Sequence, residues 1–244
     1  MGPSGSGKTT LLNFLAHRGF GDKLEASDTI KVNGSKCVTE MKFQEISSFV
    51  EQGDALIGSL TVRETLDFAA RLSLDRFQAM NAHDVLILFL DEPTNGLDFT
   101  ASYEVIKYLK SALKKHKLIV IASIHQPSFQ TFDLFDNILL LAGGQTCYNG
   151  PVSSIQPYFE GIGSPMPGAA GSYFVQHRPS VPLYMNPAEF LLDLTSSDFS
   201  QDEADAKVRL QKLHSDWQES FKAKAINESV ANTEHDNDSV FAED

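Results

Sequence analysis

Val85-Leu86-Ile87-Leu88-Phe89-Leu90-Asp91-Glu92-Pro93 runs six apolar residues straight into two carboxylates and a proline. The run has the length of a strand but not the alternation of a half-exposed one. It predicts a parallel strand buried on both faces, with Asp91 and Glu92 at its carboxyl end. A helix is predicted over Glu104–Lys115, a second buried strand over Leu118–Ala122, and a third over Asn137–Leu141, closed by Gly143-Gly144. Strands alternating with helices make an α/β sheet, whose ligands sit beyond the carboxyl ends of the strands.

Near the start of the chain, Gly2-Pro3-Ser4-Gly5-Ser6-Gly7-Lys8-Thr9 fills every position of the P-loop pattern. Lys8–Ala16 then reads as a helix with Leu11, Leu12 and Leu15 on one side. Glycines allow successive backbone N–H groups to wrap a phosphate without Cβ clashes. Lys8 can reach the β- and γ-phosphates, the Thr9 hydroxyl can ligate Mg2+, and the helix adds its N-terminal dipole.

An aspartate such as Asp91 at the end of a buried strand can hold Mg2+, and Glu92 can orient or deprotonate an attacking water. An acidic N-cap is the plainer reading of an isolated pair; the accompanying P-loop favours the chemical one. His125, after Ala122-Ser123-Ile124, ends the next buried run and can contact a γ-phosphate or position water, although a lone His is as readily structural. Gln52, after Phe49-Val50-Glu51, taken alone reads as a surface residue.

Composition bounds the rest. The 244 residues are 42% hydrophobic and 21% charged, ordinary for a soluble globular protein. A net charge of -12 argues against a general nucleic-acid binder, which needs clustered Lys and Arg. Cys37 and Cys147 lie far apart without a C-x-x-C partner, which fits free, buried thiols. No apolar run approaches the roughly 20 residues of a membrane span. Short strands are expected over residues 28–58, with Asn33-Gly34 as a turn. Thr61 and Glu64 form a capping box at a helix start. Residues 161–187 read as loop. The segment 201–244 carries eleven acidic and five basic residues; Leu210, Leu213, Trp217 and Phe221 recur at helical spacing, and disorder is expected from Asn227 onward.

The stretch Leu88–Asp98 (Leu-Phe-Leu-Asp-Glu-Pro-Thr-Asn-Gly-Leu-Asp) resembles the Walker B motif and D-loop of an ATP-binding-cassette ATPase. Ser123-Ile124-His125-Gln126-Pro127-Ser128, Leu60–Leu66 and Asn186-Pro187-Ala188-Glu189-Phe190 narrow it. Together they resemble the nucleotide-binding domain of the G (white and pleiotropic-drug-resistance) subfamily of ABC transporters, over about residues 2–200. The resemblance implies an α/β P-loop NTPase with a RecA-like, mainly parallel sheet flanked by helices, binding ATP and Mg2+. It implies that Gly2, Pro3, Ser4, Gly5, Ser6, Gly7, Lys8, Thr9 and Thr10 hold the nucleotide and that Gln52, with Thr9 and Asp91, attends the metal. Glu92 is then the catalytic base, His125 the switch histidine, and Asp98 the D-loop aspartate facing a second nucleotide-binding domain. Hydrolysis would drive export of lipids, sterols or drug-like compounds, from the cytoplasmic face of a membrane and with a transmembrane domain as partner.

Measured against that family, residues 1–160 are expected to be a partial cassette domain. Residues 161–200 would be a subfamily-G extension with a loop-rich insert, and 201–244 an acidic linker or tail with an amphipathic helix. Only Met1 precedes Gly2, where the family has a strand and, further upstream, an adenine-stacking aromatic; without them the P-loop is expected to lose its anchor in the sheet. Asp75–Asp84 replaces most of a helical subdomain, and no Ser-Gly-Gly of the signature motif occurs. Gly168–Pro182 looks inserted, and the six-helix membrane domain expected after residue 244 is missing. These features suggest a truncated or imperfectly predicted gene product. The alternative function is a catalytically incompetent fragment or a regulatory nucleotide-binding subunit.

Overall fold

A computed structural model describes residues 1–18, 31–32, 35–36, 43, 46–53, 59, 61, 63–64, 86–116, 118–164, 186–196 and 203–232. Cys37, the Asp75–Asp84 replacement and the Gly168–Pro182 segment lie outside these residues. Within them the fold is mixed α/β. Helix α1 spans Lys8–Leu15; strands β1 (Lys31–Val32) and β2 (Ser35–Lys36) pair antiparallel, and the turn expected at Asn33-Gly34 lies outside the described residues. Then come β3 (Ser47–Val50), β4 (Leu86–Asp91), α2 (Phe99–His116) and β5 (Leu118–Ser123).

β3, β4 and β5 form one parallel sheet in that order, with Phe49 beside Phe89 and Asp91 beside Ser123 in the register. This register brings the carboxyl ends of all three strands to one edge. Phe89 and Leu90 are buried, at 2% and 5% exposure, whereas Ile87 and Leu88 are only partly buried, so the expected burial on both faces holds toward the carboxyl end of β4. Leu12 and Ala16 of the α1 segment pack with Phe43 and Phe89 to form the core beneath it. The capping box also forms: Thr61 N–H and Oγ1 donate to Glu64 Oε2 at 2.8 Å, and Glu64 N–H returns to Thr61 Oγ1 at 3.3 Å.

The second core is larger. After α3 (Phe129–Phe132), β6 (Asn137–Ala142) and β7 (Gln145–Pro151) make an antiparallel hairpin. Its turn is Gly143-Gly144, with φ of 55° and 76°, the left-handed pair that a two-residue hairpin needs. Helices α4 (Ile155–Gly161), α5 (Pro187–Thr195), α6 (Glu203–Glu219) and α7 (Phe221–Asn232) follow. Tyr148, Phe159, Leu191, Leu213 and Trp217 are buried together, and Cys147 lies among them. Arg209 of α6 donates to the carbonyls of Leu194 (3.0 Å) and Ser196 (2.8 Å), closing the carboxyl end of α5.

Two expectations for this end of the chain change. The chain stays helical past Asn227, to Asn232. Phe221 does not continue the apolar face of Leu213 and Trp217; it is 84% exposed, because α6 stops at Glu219 and Ser220 caps a new helix, its Oγ accepting from Ala223 N–H at 3.1 Å.

β5 and β6 do not pair with each other. Between them lies a cavity of about 580 Å3, walled by β5, β6, α1 and α2. Met1 enters its rim: the Met1 amine donates to Leu139 O at 2.7 Å, and Leu141 N–H donates to Met1 O at 2.9 Å. That exchange is the hydrogen-bond pattern of a parallel pairing with β6. The P-loop is therefore not adrift, contrary to expectation. Two backbone hydrogen bonds from one residue tie it to β6, and Gly144 N–H adds a third at 3.2 Å to Ser6 O. Among the described residues no helix is long and apolar enough to cross a membrane.

Candidate functional site

The P-loop turns through left-handed backbone at Gly5 (φ 71°) and Gly7 (φ 92°), which a glycine adopts without Cβ strain. Gly7 is the N-cap of α1 and supplies no capping side chain, so the first turn of the helix presents its N–H groups uncapped. An anion fits there. The Ser6 hydroxyl is buried in the loop without a hydrogen-bond partner among the described residues. Ser4, Gly5, Thr9 and Thr10 are exposed and Gly2 is buried; Pro3 is half-buried.

Lys8 folds back over its own loop, donating from Nζ to the carbonyls of Gly2 (2.9 Å) and Pro3 (2.8 Å). Burial lowers its ammonium pKa from the ordinary value, opposed by the nearby charges of Glu92 and Asp91. A cation thus already stands in the loop, facing two carboxylates.

Those carboxylates come from the end of β4. Asp91 is 6% exposed, and its Oδ1 accepts from Thr9 Oγ1 at 3.2 Å and from Ser123 Oγ at 2.5 Å. Glu92 follows with φ of 49°, unusual for a residue with a side chain. Its N–H donates to Ser123 Oγ at 2.8 Å and Ser123 O at 3.2 Å. Its Oε2 accepts from Gln52 Nε2 at 2.7 Å. Gln52 is exposed, as its composition suggested, yet the parallel register of β3 beside β4 carries it to Glu92. Lys8, Thr9, Gln52, Asp91 and Glu92 thus converge on one edge of the sheet. Ser123 joins them, and sequence reasoning passed over it: a serine closing an apolar strand gives no signal of its own.

The other two expected residues stand at the margin. His125 is exposed, two residues beyond the end of β5, next to Gln126 in left-handed backbone (φ 45°). Asp98 caps α2, its Oδ1 accepting from Ala101 N–H at 2.7 Å. This is the acidic N-cap considered for Asp91 and Glu92, realised at a different aspartate. Among the described residues no group of three or more His, Cys, Asp or Glu could hold a metal by itself. The donors present suit Mg2+ that arrives with phosphate oxygens and takes only one or two ligands from protein.

Comparison with known proteins agrees with this geometry. The family model described as "ABC transporter" matches residues 1–86, and one described as "ABC-2 type transporter" matches residues 125–225. ABC transporter G family member 1 of Dictyostelium discoideum is 32% identical over 84% of this chain and 29% of its own length. ABC transporter G family member 5 of Oryza sativa subsp. japonica is 33% identical over 89% of this chain and 31% of its own length. ABC transporter G family member 1 of Arabidopsis thaliana is 36% identical over 68% of this chain and 28% of its own length. The chain spans less than a third of each of these relatives. The rice alignment runs over 263 residues although this chain has 244, so that relative holds residues with no counterpart here. Matched in this way along most of its length, the chain belongs to the G family of ABC transporters and carries their ATP-binding domain.

Proposed function

We propose that this chain binds MgATP at the P-loop and hydrolyses it to power export of lipids, sterols or drug-like compounds across a membrane. The observation that carries the reading is the Thr9–Asp91 hydrogen bond. It joins the P-loop helix to the end of β4 and gathers Lys8, both carboxylates and the uncapped helix end around one place. The residues fit the nucleotide and its ion. Lys8 would exchange the carbonyls of Gly2 and Pro3 for β- and γ-phosphate oxygens, and the backbone N–H groups from Gly2 to Thr10 would wrap the phosphates. Thr9 keeps lone pairs for a cation after donating to Asp91, and Asp91 Oδ2 and the Gln52 amide oxygen supply further hard donors. Bound Mg2+ would neutralise charge on the phosphates.

Glu92 would then orient and deprotonate the attacking water, with Gln52 holding its carboxylate in place and His125 turned to the γ-phosphate. Asp98 would face a second nucleotide-binding domain, and the assembly would sit on the cytoplasmic face of a membrane with a transmembrane domain as partner. Residues 1–160 would form the cassette, 161–200 the subfamily extension and 201–244 an acidic linker.

MgATP affinity and turnover of the wild type, Lys8→Ala and Glu92→Gln test this reading. Lys8→Ala should lose binding, whereas Glu92→Gln should bind and fail to turn over. Wild type that binds no nucleotide would overturn it. The second reading, a catalytically incompetent fragment or regulatory subunit, is favoured by the lack of any Ser-Gly-Gly and by the relatives' extra residues. It predicts that wild type binds MgATP without turnover.

A further inference from the structure

We propose that Ser123 is a positioning residue for the cation-binding half of this site, setting which oxygen Asp91 offers and holding the backbone turn that carries Glu92. The inference deepens the MgATP reading and rests on it for the cation. Adjacent residues of an extended strand point to opposite faces, so Asp91 and Glu92 could not serve one site from regular β4. The strand breaks its alternation at Glu92, where φ is 49°. Left-handed backbone disfavours a residue with a Cβ, so something must hold it.

Ser123 is placed to do so. It is the partner of Asp91 in the last pair of the β4–β5 register. Its hydroxyl uses both of its capacities. As acceptor it takes the Glu92 N–H at 2.8 Å; as donor it gives its proton to Asp91 Oδ1 at 2.5 Å. Thr9 Oγ1 donates to the same Oδ1 at 3.2 Å. Two donors saturate that oxygen, leaving Oδ2 as the Asp91 atom without a hydrogen bond among the described residues. Ser123 is 5% exposed and Asp91 6%, so bulk water cannot stand in for the hydroxyl. Hydrogen bonds that orient a metal-binding group commonly change metal affinity by about 10–100-fold when removed.

The test compares wild type, Ser123→Ala and Ser123→Thr in the whole chain. ATP affinity is measured by calorimetry with Mg2+ and with EDTA, and Glu92 amide exchange by NMR without nucleotide. Ser123→Ala should weaken MgATP binding about 10–100-fold while metal-free ATP binding stays within about twofold, and Glu92 amide exchange should speed up. Ser123→Thr keeps the hydroxyl and should restore both. Equal losses with and without Mg2+, or an unchanged Glu92 amide, would overturn the role of Ser123. If wild type binds no ATP, the nucleotide reading fails by itself, and the amide exchange still decides whether Ser123 holds the turn. A Ser123→Ala chain that does not fold passes the decision to Ser123→Thr: loss of the Mg2+ dependence despite its hydroxyl would refute the proposal.

Discussion

Gly2→Ala should loosen the P-loop from the sheet, and the structure sets the size of the effect. A Cβ at Gly2 would lie 2.2 Å from the Leu141 carbonyl oxygen and 2.6 Å from Ser6 Oγ. Non-bonded contact settles near about 3.5 Å, so the first of these must open by more than about 1 Å. The serine hydroxyl can rotate aside. Leu141 O cannot, because it belongs to the backbone of β6. The loop must therefore move, and with it the Met1 bonds to Leu139 and Leu141, at 2.7 and 2.9 Å. Overpacking and a lost hydrogen bond together give about 2–4 kcal/mol. For a chain of this size that corresponds to a fall in Tm of roughly 5–15 °C.

Gly5→Ala is the control. Its Cβ would meet nothing within 4 Å, and only the left-handed φ of 71° opposes it, at about 1–2 kcal/mol. Calorimetric melting should rank wild type above Gly5→Ala and Gly5→Ala above Gly2→Ala. Gly2→Ala melting at or above Gly5→Ala would show that Gly2 is not clasped against β6.

Alkali should act on the second core. Burial pushes the Cys147 thiol up to about 12 and the Tyr148 phenol up to about 12, and it raises Tyr158 as well. The folded state favours the neutral acid in each case. Its contribution is whole below the unfolded values and is lost as the pH climbs from about 9 towards 12. Denaturant midpoints should be flat up to about pH 8.5 and decline above it; a midpoint that rises with alkali refutes the assignment. Asn186→Ala removes two bonds at once, Oδ1 from the Ala188 N–H (3.1 Å) and Nδ2 to Pro127 O (2.7 Å). A loss of about 2 kcal/mol in urea is expected, with Asn186→Asp losing about half because it keeps the cap. Equal losses in the two variants would mean that the Ala188 cap contributes nothing.

Features that depend on local pattern were legible in the sequence. The unbroken apolar run of β4 announces a parallel strand, and the glycine spacing announces the loop before α1. Contacts set by register were not. Gln52 looked like a surface residue until the pairing of β3 with β4 carried it to Glu92. β7 was hidden by its composition, Gln-Thr-Cys-Tyr-Asn-Gly-Pro, in which glycine and proline mask a strand held by its partner. Apolar pattern starts α2 at Glu104, whereas the helix begins at Phe99, because Phe99 and Thr100 are weak helix formers and the start signal lies in the Asp98 cap.

The seam between β5 and β6 bears on how this molecule comes apart. No ladder of backbone bonds crosses it, so the two cores have grounds to unfold as separate cooperative units. The sole tryptophan, Trp217, lies wholly on the β6–β7 side, so its fluorescence would follow one unit and miss the sheet that bears Asp91. The P-loop grips both, with Met1 on β6 and α1 on the three-stranded sheet, and Lys110 of α2 adds a second link to Leu134 O and Asp136. A nucleotide seated in that loop would act as a clasp between them, turning two melting events into one.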